Sequence, residues 1–301
     1  MGYSGRYHAA SLAAVFLALA IGILIGVGLG RNVVSSARQE LEQSLKSDLS
    51  AARSRADTLQ GQLNQERDFS EQIYPALVGG LLRSDRIAVI ALGNLPEDMK
   101  GDIESVVGPE SPTGAGLGEV AVAREPPDLR ALADAGNVRA RRLIRDPDAL
   151  SRMAARMGRA LVIGGPPFAR LRDSMLTSIS GHPGGIDGVI VVRSRPASLN
   201  TTQSAATDRV ESGLLDGLRR AGRTPVVGVE RSDADSSSIG FYGSAGLAAT
   251  VDSIDLSSGR VALAYALRGA EGNFGVKPTA DRLLPALRQR VRPPGGIAGV
   301  P

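Results

Sequence analysis

The sequence predicts an α/β protein in which one transmembrane helix and a coiled-coil helix precede a domain with a largely parallel sheet. Three observations support this prediction: a long uncharged apolar run, a polar segment with apolar residues at heptad spacing, and short aliphatic runs alternating with helical patterns. The predicted segments are an N-terminal segment with the transmembrane helix (1–30), a coiled-coil stalk (31–74), an α/β domain (75–285) and a disordered basic tail rich in Pro and Gly (286–301).

The apolar run covers His8–Gly30, and no charged residue lies between Arg6 and Arg31. At about 1.5 Å per residue, a helix of this length spans the roughly 30 Å hydrocarbon core of a bilayer. A signal peptide has a shorter apolar part of about 7–15 residues, so we favour an uncleaved anchor, although residues 35–37 (Ser-Ser-Ala) could form a cleavage site. Basic residues flank both ends. We place the N-terminus inside and the domain outside, because long domains translocate largely regardless of charge.

Small residues recur at every fourth position of the predicted transmembrane helix and therefore share one face. Such a face lets helix backbones approach closely, which predicts self-association or docking against the membrane helix of a partner. The alternative is that Ala and Gly are simply frequent in membrane spans. A single helix cannot enclose a pore, so transport would need several copies or another pore-forming element. The predicted helix-packing residues are Ala14, Ala18, Gly22, Gly26 and Gly30.

The segment after Arg31 lacks Pro, has Gly only at Gly61, and carries charges of both signs up to about Gln72. From Leu45 onward its apolar residues are separated by alternating steps of four and three, which is the spacing of a coiled-coil seam. The alternative is an amphipathic helix that folds back on the domain. We favour the coiled coil because the seam is narrow and continues the anchor. The predicted seam consists of Leu45, Leu49, Ala52, Ala56, Leu59 and Leu63.

The α/β prediction for the domain comes from five short aliphatic runs separated by helical patterns. Strands of this kind alternate with helices when a parallel sheet is covered on both faces. The predicted strands are 87–92, 118–123, 160–165, 188–192 and 225–229. Helical patterns occupy 96–107, parts of 127–157, 168–179, 203–221 and 259–270.

The overall composition limits the possible functions. Aromatic residues make up only 3% of the chain, so the core must be aliphatic. The net charge of +4 comes from arginines spread along the chain, without a basic block interleaved with aromatics, so we expect no nucleic-acid partner. The absence of cysteine excludes disulfides, thiolate metal sites and cysteine nucleophiles.

The glycine-rich segments do not match nucleotide-binding motifs. Gly164-Gly165-Pro166-Pro167, expected to follow the third strand, lacks both the Lys-Ser/Thr of a P-loop and the third glycine of a dinucleotide fingerprint. The segment 114–118 leads into a strand, so we interpret it as a loop. We interpret GFYGSAG (240–246), with Tyr242 and Ser244, as a surface loop rather than a binding loop.

Catalytic and metal-binding constellations are also missing from the sequence. The histidines are His8 at the membrane boundary and His182 in the loop GHPGG, and no G-x-S-x-G elbow is present. Asp252 and Asp255 are expected to cap the following helix rather than to form an acid/base pair. We therefore expect no enzyme activity, no catalytic or metal residues and no resident cofactor. Soft Cu(I) prefers Cys and Met, but Met153 and Met157, four residues apart on a predicted helix, are interpreted as core residues. Met99 and Met175 are isolated in the sequence, so no concentrated copper site is expected.

Both ends of the chain resemble the actinobacterial copper transport protein B (MctB) family. The resemblance rests on YHAASLAAVFLALAIGILIGVGLG (7–30) and its continuation into a coiled-coil helix, and on TVDSIDLSSGRVALAYALRG (250–269) followed by GNFGVK (272–277). It implies a single-pass envelope protein whose domain lies outside the cytoplasmic membrane, with a role in copper transport or homeostasis. The family is described in mycobacteria as an outer-membrane channel, and related corynebacterial members are similar to envelope-integrity factors with a membrane partner. No metal-ligand motif transfers residue by residue.

Two main functional hypotheses follow. The first is a copper transport protein of this family that acts as an oligomer or as an accessory to efflux. The second is an envelope scaffold that recruits a membrane or cell-wall partner through its transmembrane stripe and coiled coil. A third, a small-ligand enzyme, would require a ligand in the clefts of the α/β domain. The expected partners are membrane lipid and either further copies of the chain or a membrane partner. Copper is expected as a further partner from the family resemblance.

Overall fold

The computed structural model describes residues 4–196 and 198–287. The chain divides into two units, of which the first ends at Glu66 and the second begins at Arg67. Helix α1 (Ser4–Val78) makes up the first unit and continues into the second, with Pro75 in its last turn. The predicted tail, 286–301, lies outside the described residues from position 288 onward.

Seven strands of the described chain form one sheet in the second unit, in the order β3-β2-β1-β4-β5-β6-β7. All neighbours pair in parallel except β2 and β3, which are antiparallel at one edge. The strands are β1 (Arg86–Gly93), β2 (Gly116–Ala123), β3 (Leu176–Gly181), β4 (Gly188–Ser194), β5 (Val226–Val229), β6 (Ala249–Val251) and β7 (Gly272–Phe274). The largely parallel α/β fold is therefore confirmed.

Helices cover both faces of this sheet. Those after α1 are α2 (Glu97–Val107), α3 (Leu129–Ala135), α4 (Ala140–Arg145), α5 (Pro147–Ile163), α6 (Pro166–Met175), α7 (Thr201–Arg219), α8 (Ile239–Ser244) and α9 (Ser257–Leu267). Asn200 begins α7 with a capping box: its Oδ1 accepts from the Gln203 N–H at 2.9 Å, and its own N–H donates to Gln203 Oε1 at 3.1 Å.

Alternation along the strands creates two core layers. On β1, Ala88, Ile90 and Leu92 join the layer beneath α3 to α8, whereas Ile87 and Val89 join the layer beneath α2, α9 and the end of α1. The β6–α9–β7 connection therefore runs over the opposite face from β4–α7–β5, although both step in the same direction along the sheet. The two connections consequently have opposite hands.

Helices α5 and α7 pack closely against each other, and their backbones meet through small residues. A Cβ at Gly217 would overlap the Ala155 carbonyl oxygen, and a Cβ at Gly213 would overlap that of Ser151. From the other side, a Cβ at Gly158 would overlap the Leu214 carbonyl oxygen. Gly213 and Gly217 thus form a G-x-x-x-G motif inside the α/β domain, which our sequence interpretation missed although the spacing was present.

Several predicted elements are wrong. The expected third strand, 160–165, is the end of α5 and the following turn, because Leu150, Met153, Met157 and Leu161 continue a buried helical face. Only the first part of the predicted helix 168–179 is helical, since the chain turns at Leu176 into edge strand β3. The glycine pair of 164–165 consequently connects two helices.

The segment 240–246 is also different from the expected surface loop. Most of it belongs to the short helix α8, and Tyr242 is fully buried. The Tyr242 ring lies against Gly228 of β5, where a Cβ would overlap ring atoms. Its hydroxyl donates to backbone carbonyl oxygens of Val191 and Val229 at 3.3 and 3.4 Å, respectively. Tyr242 is therefore a core residue.

Candidate functional site

The predicted helix-packing residues occupy one side of α1. Ala14 and Ala18 are exposed, and a Cβ placed on Gly22 or Gly26 would meet no atom of the described residues within 4 Å. Gly30 continues the four-residue spacing in the same helix. The described residues thus leave this small-residue face open, while its role in helix packing stays a prediction.

The predicted seam residues are also exposed. The four leucines of the seam have exposed fractions between 52% and 60%, and both alanines are exposed as well. Exposed leucines at heptad spacing are what a coiled-coil helix presents before its partner is added. The coiled coil stays a prediction, because the structure contains a single chain.

Residues Arg6–Gly28 are long and apolar enough to cross a membrane. At about 1.5 Å per residue, these 23 residues extend for about 34 Å. This segment overlaps the predicted His8–Gly30 span at all but its ends. Length and composition are thus compatible with a single membrane crossing by α1.

In the second unit, a charged cleft lies at the carboxyl ends of β4 and β5. This crevice encloses about 760 Å³. It lies beside the point where the chain order of the sheet reverses, since β1 has β2 on one side and β4 on the other. Parallel α/β sheets usually bind ligands at such a point. Its lining includes Asp98, Met99, Arg193, Ser194, Arg195, Glu230, Arg231 and Ser238.

A buried ion cluster forms one wall of the crevice. Glu211 of α7 is fully buried and accepts two hydrogen bonds from Arg193, from Nε at 2.8 Å and from Nη2 at 3.1 Å. Arg195 Nη2 donates to the second Glu211 oxygen at 2.8 Å and also pairs with Asp208. The Arg193 guanidinium lies 4.1 Å from the centroid of the Phe241 ring. These contacts immobilise both arginines.

Glu125 lies behind this cluster, in the loop after β2. Its two carboxyl oxygens are buried and have no hydrogen-bond partner among the described residues. Burial, reinforced by the negative charge of Glu211, raises the pKa of Glu125 to about 8, while Arg195 and Arg193 oppose the shift. Burial and the Glu211 charge thus favour the protonated form of Glu125 beside the ion cluster.

A second group of ion pairs forms the opposite wall. Arg231 pairs with Asp102, with Asp233 at 3.0 Å and with Asp98 at 3.4 Å. Burial raises the pKa of Asp102, although the Arg231 charge opposes this shift. Glu230 accepts from the Ser238 N–H at 2.6 Å and from Lys277 Nζ at 2.6 Å. Most charged groups of the crevice are thus paired with one another.

The histidines lie away from the crevice. His182 is exposed at the end of β3, where its N–H donates to the Gly118 carbonyl oxygen at 3.3 Å. That position is at the amino end of β2, the opposite edge of the sheet. His8 is exposed in α1. Neither histidine joins the crevice.

The expected capping role of the two aspartates is wrong. Asp252 accepts from the backbone N–H groups of Val276 and Lys277 at 2.8 and 3.0 Å. Asp255 accepts from the N–H and hydroxyl of Ser232 at 2.7 and 2.6 Å. Both carboxylates therefore fix loops at the carboxyl edge of the sheet, and α9 begins after Leu256 without a side-chain cap.

Met153 and Met157 are core residues, as expected, and Met99 and Met175 are buried as well. Met153 and Met157 of α5 and Met175 lie in one core layer, and Met99 lies in the other. Within residues 4–196 and 198–287, no three His, Asp or Glu side chains form a group that could hold a metal ion.

The comparisons with known proteins give the family. The model of the family described as "Copper transport outer membrane protein, MctB" matches residues 3–285. No curated protein and no solved structure matches the chain. The match covers α1 and every strand of the sheet, so the resemblance of the two chain ends extends over nearly the whole sequence. The chain belongs to the MctB family of copper transport outer membrane proteins.

Proposed function

We propose that this chain takes part in copper transport as a single-pass, non-enzymatic membrane protein that works as an assembly held together by α1. Family membership implies the role in copper transport. The observation that carries the assembly is the open surface of α1, where Gly22, Gly26 and the leucine seam are uncovered in the described chain. Apolar and small-residue faces of this kind are stabilised by contact with a second helix.

The assembly is needed because α1 alone cannot conduct copper. α1 holds the single candidate span found among the described residues. One helix has no lumen, and a path through the hydrocarbon core must be enclosed by protein. Several copies, or a partner that supplies the path, would therefore surround the copper ion. We place the α/β domain on the extracytoplasmic side, since long domains translocate largely regardless of flanking charge.

The α/β domain supports a non-enzymatic role. Cu(I) favours thiolate and thioether ligands and copper also binds imidazole, but the chain has no cysteine and four of its methionines are core residues. In the crevice, Arg193, Arg231 and Glu230 are held in ion pairs. This arrangement favours a domain that contacts other components over one that transforms a substrate.

The test is complementation of a deletion strain with the double variant Gly22→Leu/Gly26→Leu. We expect the deletion to raise cellular copper and copper sensitivity. We expect the double variant to restore neither normal cellular copper nor normal copper tolerance. We also expect it to lose cross-linked oligomers or a co-purifying partner, because two leucines would hold the helices apart. Cellular copper is measured by mass spectrometry of washed cells.

The matched control is Gly28→Leu. Gly28 is equally open, and at about 100° per residue it lies roughly 200° around the helix from Gly26. We expect this variant to complement fully. Unchanged copper content in the deletion strain would contradict the role in copper transport. Equal failure of both variants would contradict the assembly through the face that carries Gly22 and Gly26.

A scaffold function is the second candidate, and the exposed seam of α1 favours it. In this case α1 and the stalk recruit a membrane or cell-wall partner, and copper content depends on that partner only indirectly. Loss of the partner with unchanged cellular copper in the double variant would support the scaffold over the transport assembly.

A further inference from the structure

The close crossing of α5 and α7 leaves a groove on the outside of the domain. Its floor consists of small residues, including Ala155, Gly213 and Gly217. Two adjoining cavities of about 390 and 330 Å³ lie along it, and both are lined by Arg152 and Asp216. The groove is therefore a direct result of the glycines that let the two helices approach.

Arginines line the rim of this groove. Arg152, Arg156 and Arg159 are exposed on α5 at spacings of four and three residues, so they share one face of the helix. Arg220, at the end of α7, lines the same cavity from the other side. Like charges at this spacing destabilise a helix slightly, so the fold itself gains nothing from their proximity.

Arg220 also connects the groove to a second basic cavity. This cavity of about 350 Å³ lies at the amino ends of β5 and β6, and Arg219, Arg220 and Arg223 line it. The two cavities that share Arg220 are lined by six arginines but by only two acidic residues, Asp216 and Glu271. The two cavities share Arg220, and we call their combined basic lining the arginine groove.

Half of these arginines have no ion pair in the described part of the chain. Arg152 pairs with Asp146 at 3.0 Å, and Arg220 pairs with Asp216 at 2.7 Å. Arg156, Arg159 and Arg223 pair with no carboxylate in residues 4–196 and 198–287. All Asp and Glu residues of the sequence lie in those ranges. The unpaired charge is thus available to an external anion.

We propose that the arginine groove binds a linear polyanion whose charges are phosphate groups. Guanidinium groups bind phosphate oxygens in a bidentate manner, and each phosphate occupies one or two of them. Arg152 to Arg159 alone extend over about 10 Å of helix, so the whole groove matches several successive phosphates. No aromatic side chain lines the two cavities, so stacking on nucleic-acid bases is not provided. On this face of α5, Ile163 is the one large apolar side chain exposed among the described residues, fewer than the several with which interfacial helices enter a membrane.

The experiment measures binding of fluorescently labelled long-chain polyphosphate to the full chain in zwitterionic nanodiscs. We expect salt-sensitive binding, which the variant Arg156→Gln/Arg159→Gln weakens at least about tenfold. We also expect the slope of log K against log salt to decrease by about one to two, because each lost phosphate contact removes one counterion release. The matched control is Arg130→Gln/Arg170→Gln, which removes two exposed arginines of α3 and α6 outside the groove.

The competitors separate the possible ligands. We expect orthophosphate and phosphatidylglycerol vesicles, at equal phosphate concentration, to displace little of the bound polyphosphate. Equal weakening in the control variant would overturn the groove as the site. Efficient displacement by orthophosphate or by the vesicles would overturn the polymer in favour of a single phosphate or a lipid surface. Tighter binding of an oligonucleotide with the same number of phosphates would equally contradict the proposal.

Discussion

Two helices of this protein carry the same G-x-x-x-G spacing in opposite surroundings. In α7, Gly213 and Gly217 contact the α5 backbone so closely that a Cβ would overlap carbonyl oxygens. In α1, a Cβ on Gly22 or Gly26 would have no atom of the described chain within 4 Å. The motif permits close helix approach in α7, whereas in α1 it meets no partner helix among residues 4–196 and 198–287. The open face of α1 is therefore the one to which the proposed function assigns a partner molecule.

The largest effect is expected from Gly217→Leu in α7. A side chain at this position must displace the α5 backbone, so we expect the domain to lose about 3 kcal/mol of unfolding free energy or more. Differential scanning calorimetry of the full chain would detect the lower transition temperature. Gly101→Ala in α2 is the control, because its Cβ would meet nothing and alanine favours a helix by about 1 kcal/mol. An unchanged transition temperature in Gly217→Leu would contradict the contrast between the occupied glycine face of α7 and the open one of α1.

A smaller, separable effect is expected from Leu59→Glu in the seam of α1. A charge at a seam position disfavours helix pairing, so we expect at least tenfold weaker association in analytical ultracentrifugation in detergent. The unfolding free energy of the domain should change by less than about 0.5 kcal/mol, because Leu59 is exposed in the single chain. Ser54→Glu adds the same charge on the outer side of the heptad. If both variants associate equally, the seam is not the contact surface.

The smallest expected effect is a pH dependence confined to the domain. Both carboxyl oxygens of Glu119 are buried without a hydrogen-bond partner in the described chain. Burial raises the pKa of Glu119 to about 7, against the opposing charge of Arg86. Because this folded-state pKa lies above the unfolded value, the stability linked to the protonated group is present at low pH and is lost as pH rises through about 7.

The variant Glu119→Gln removes this titration while retaining the shape of the side chain. We therefore expect the variant to gain stability relative to wild type between pH 5 and pH 8. For a domain of this size, about 1 kcal/mol corresponds to roughly 2–4 °C in transition temperature. Calorimetry at the two pH values provides the measurement. If the difference in transition temperature between wild type and variant is the same at both pH values, Glu119 does not titrate in this range.

Much of the fold could be predicted because hydrophobic periodicity reports local structure. The strands 87–92, 118–123, 188–192 and 225–229 all occur where the aliphatic runs predicted them. The run 160–165 failed because a short apolar segment has no period of its own, and its helical character comes from the buried residues before it. The strands β3, β6 and β7 have three to six residues each and lack the aliphatic runs that identify buried strands.

The charged groups were less predictable than the strands. Arg193, Arg195, Glu125 and Glu211 come from three separate parts of the sequence, and only the strand order brings them together. Asp252 and Asp255 were expected to act locally, but each binds a loop more than twenty residues away in sequence. Neither the burial of these charged groups nor their pairing with distant residues produces a periodic pattern in the sequence.

The sequence by itself determined the apolar span, the small-residue face and the heptad spacing of α1, because these properties depend only on residues three or four positions apart. It also determined that the domain alternates strands and helices. The tertiary structure decided which small-residue face is already occupied, which charges are buried together, and which arginines of α5 and α7 stay unpaired. These properties depend on the order of the strands and the approach of distant helices, and no local spacing encodes them.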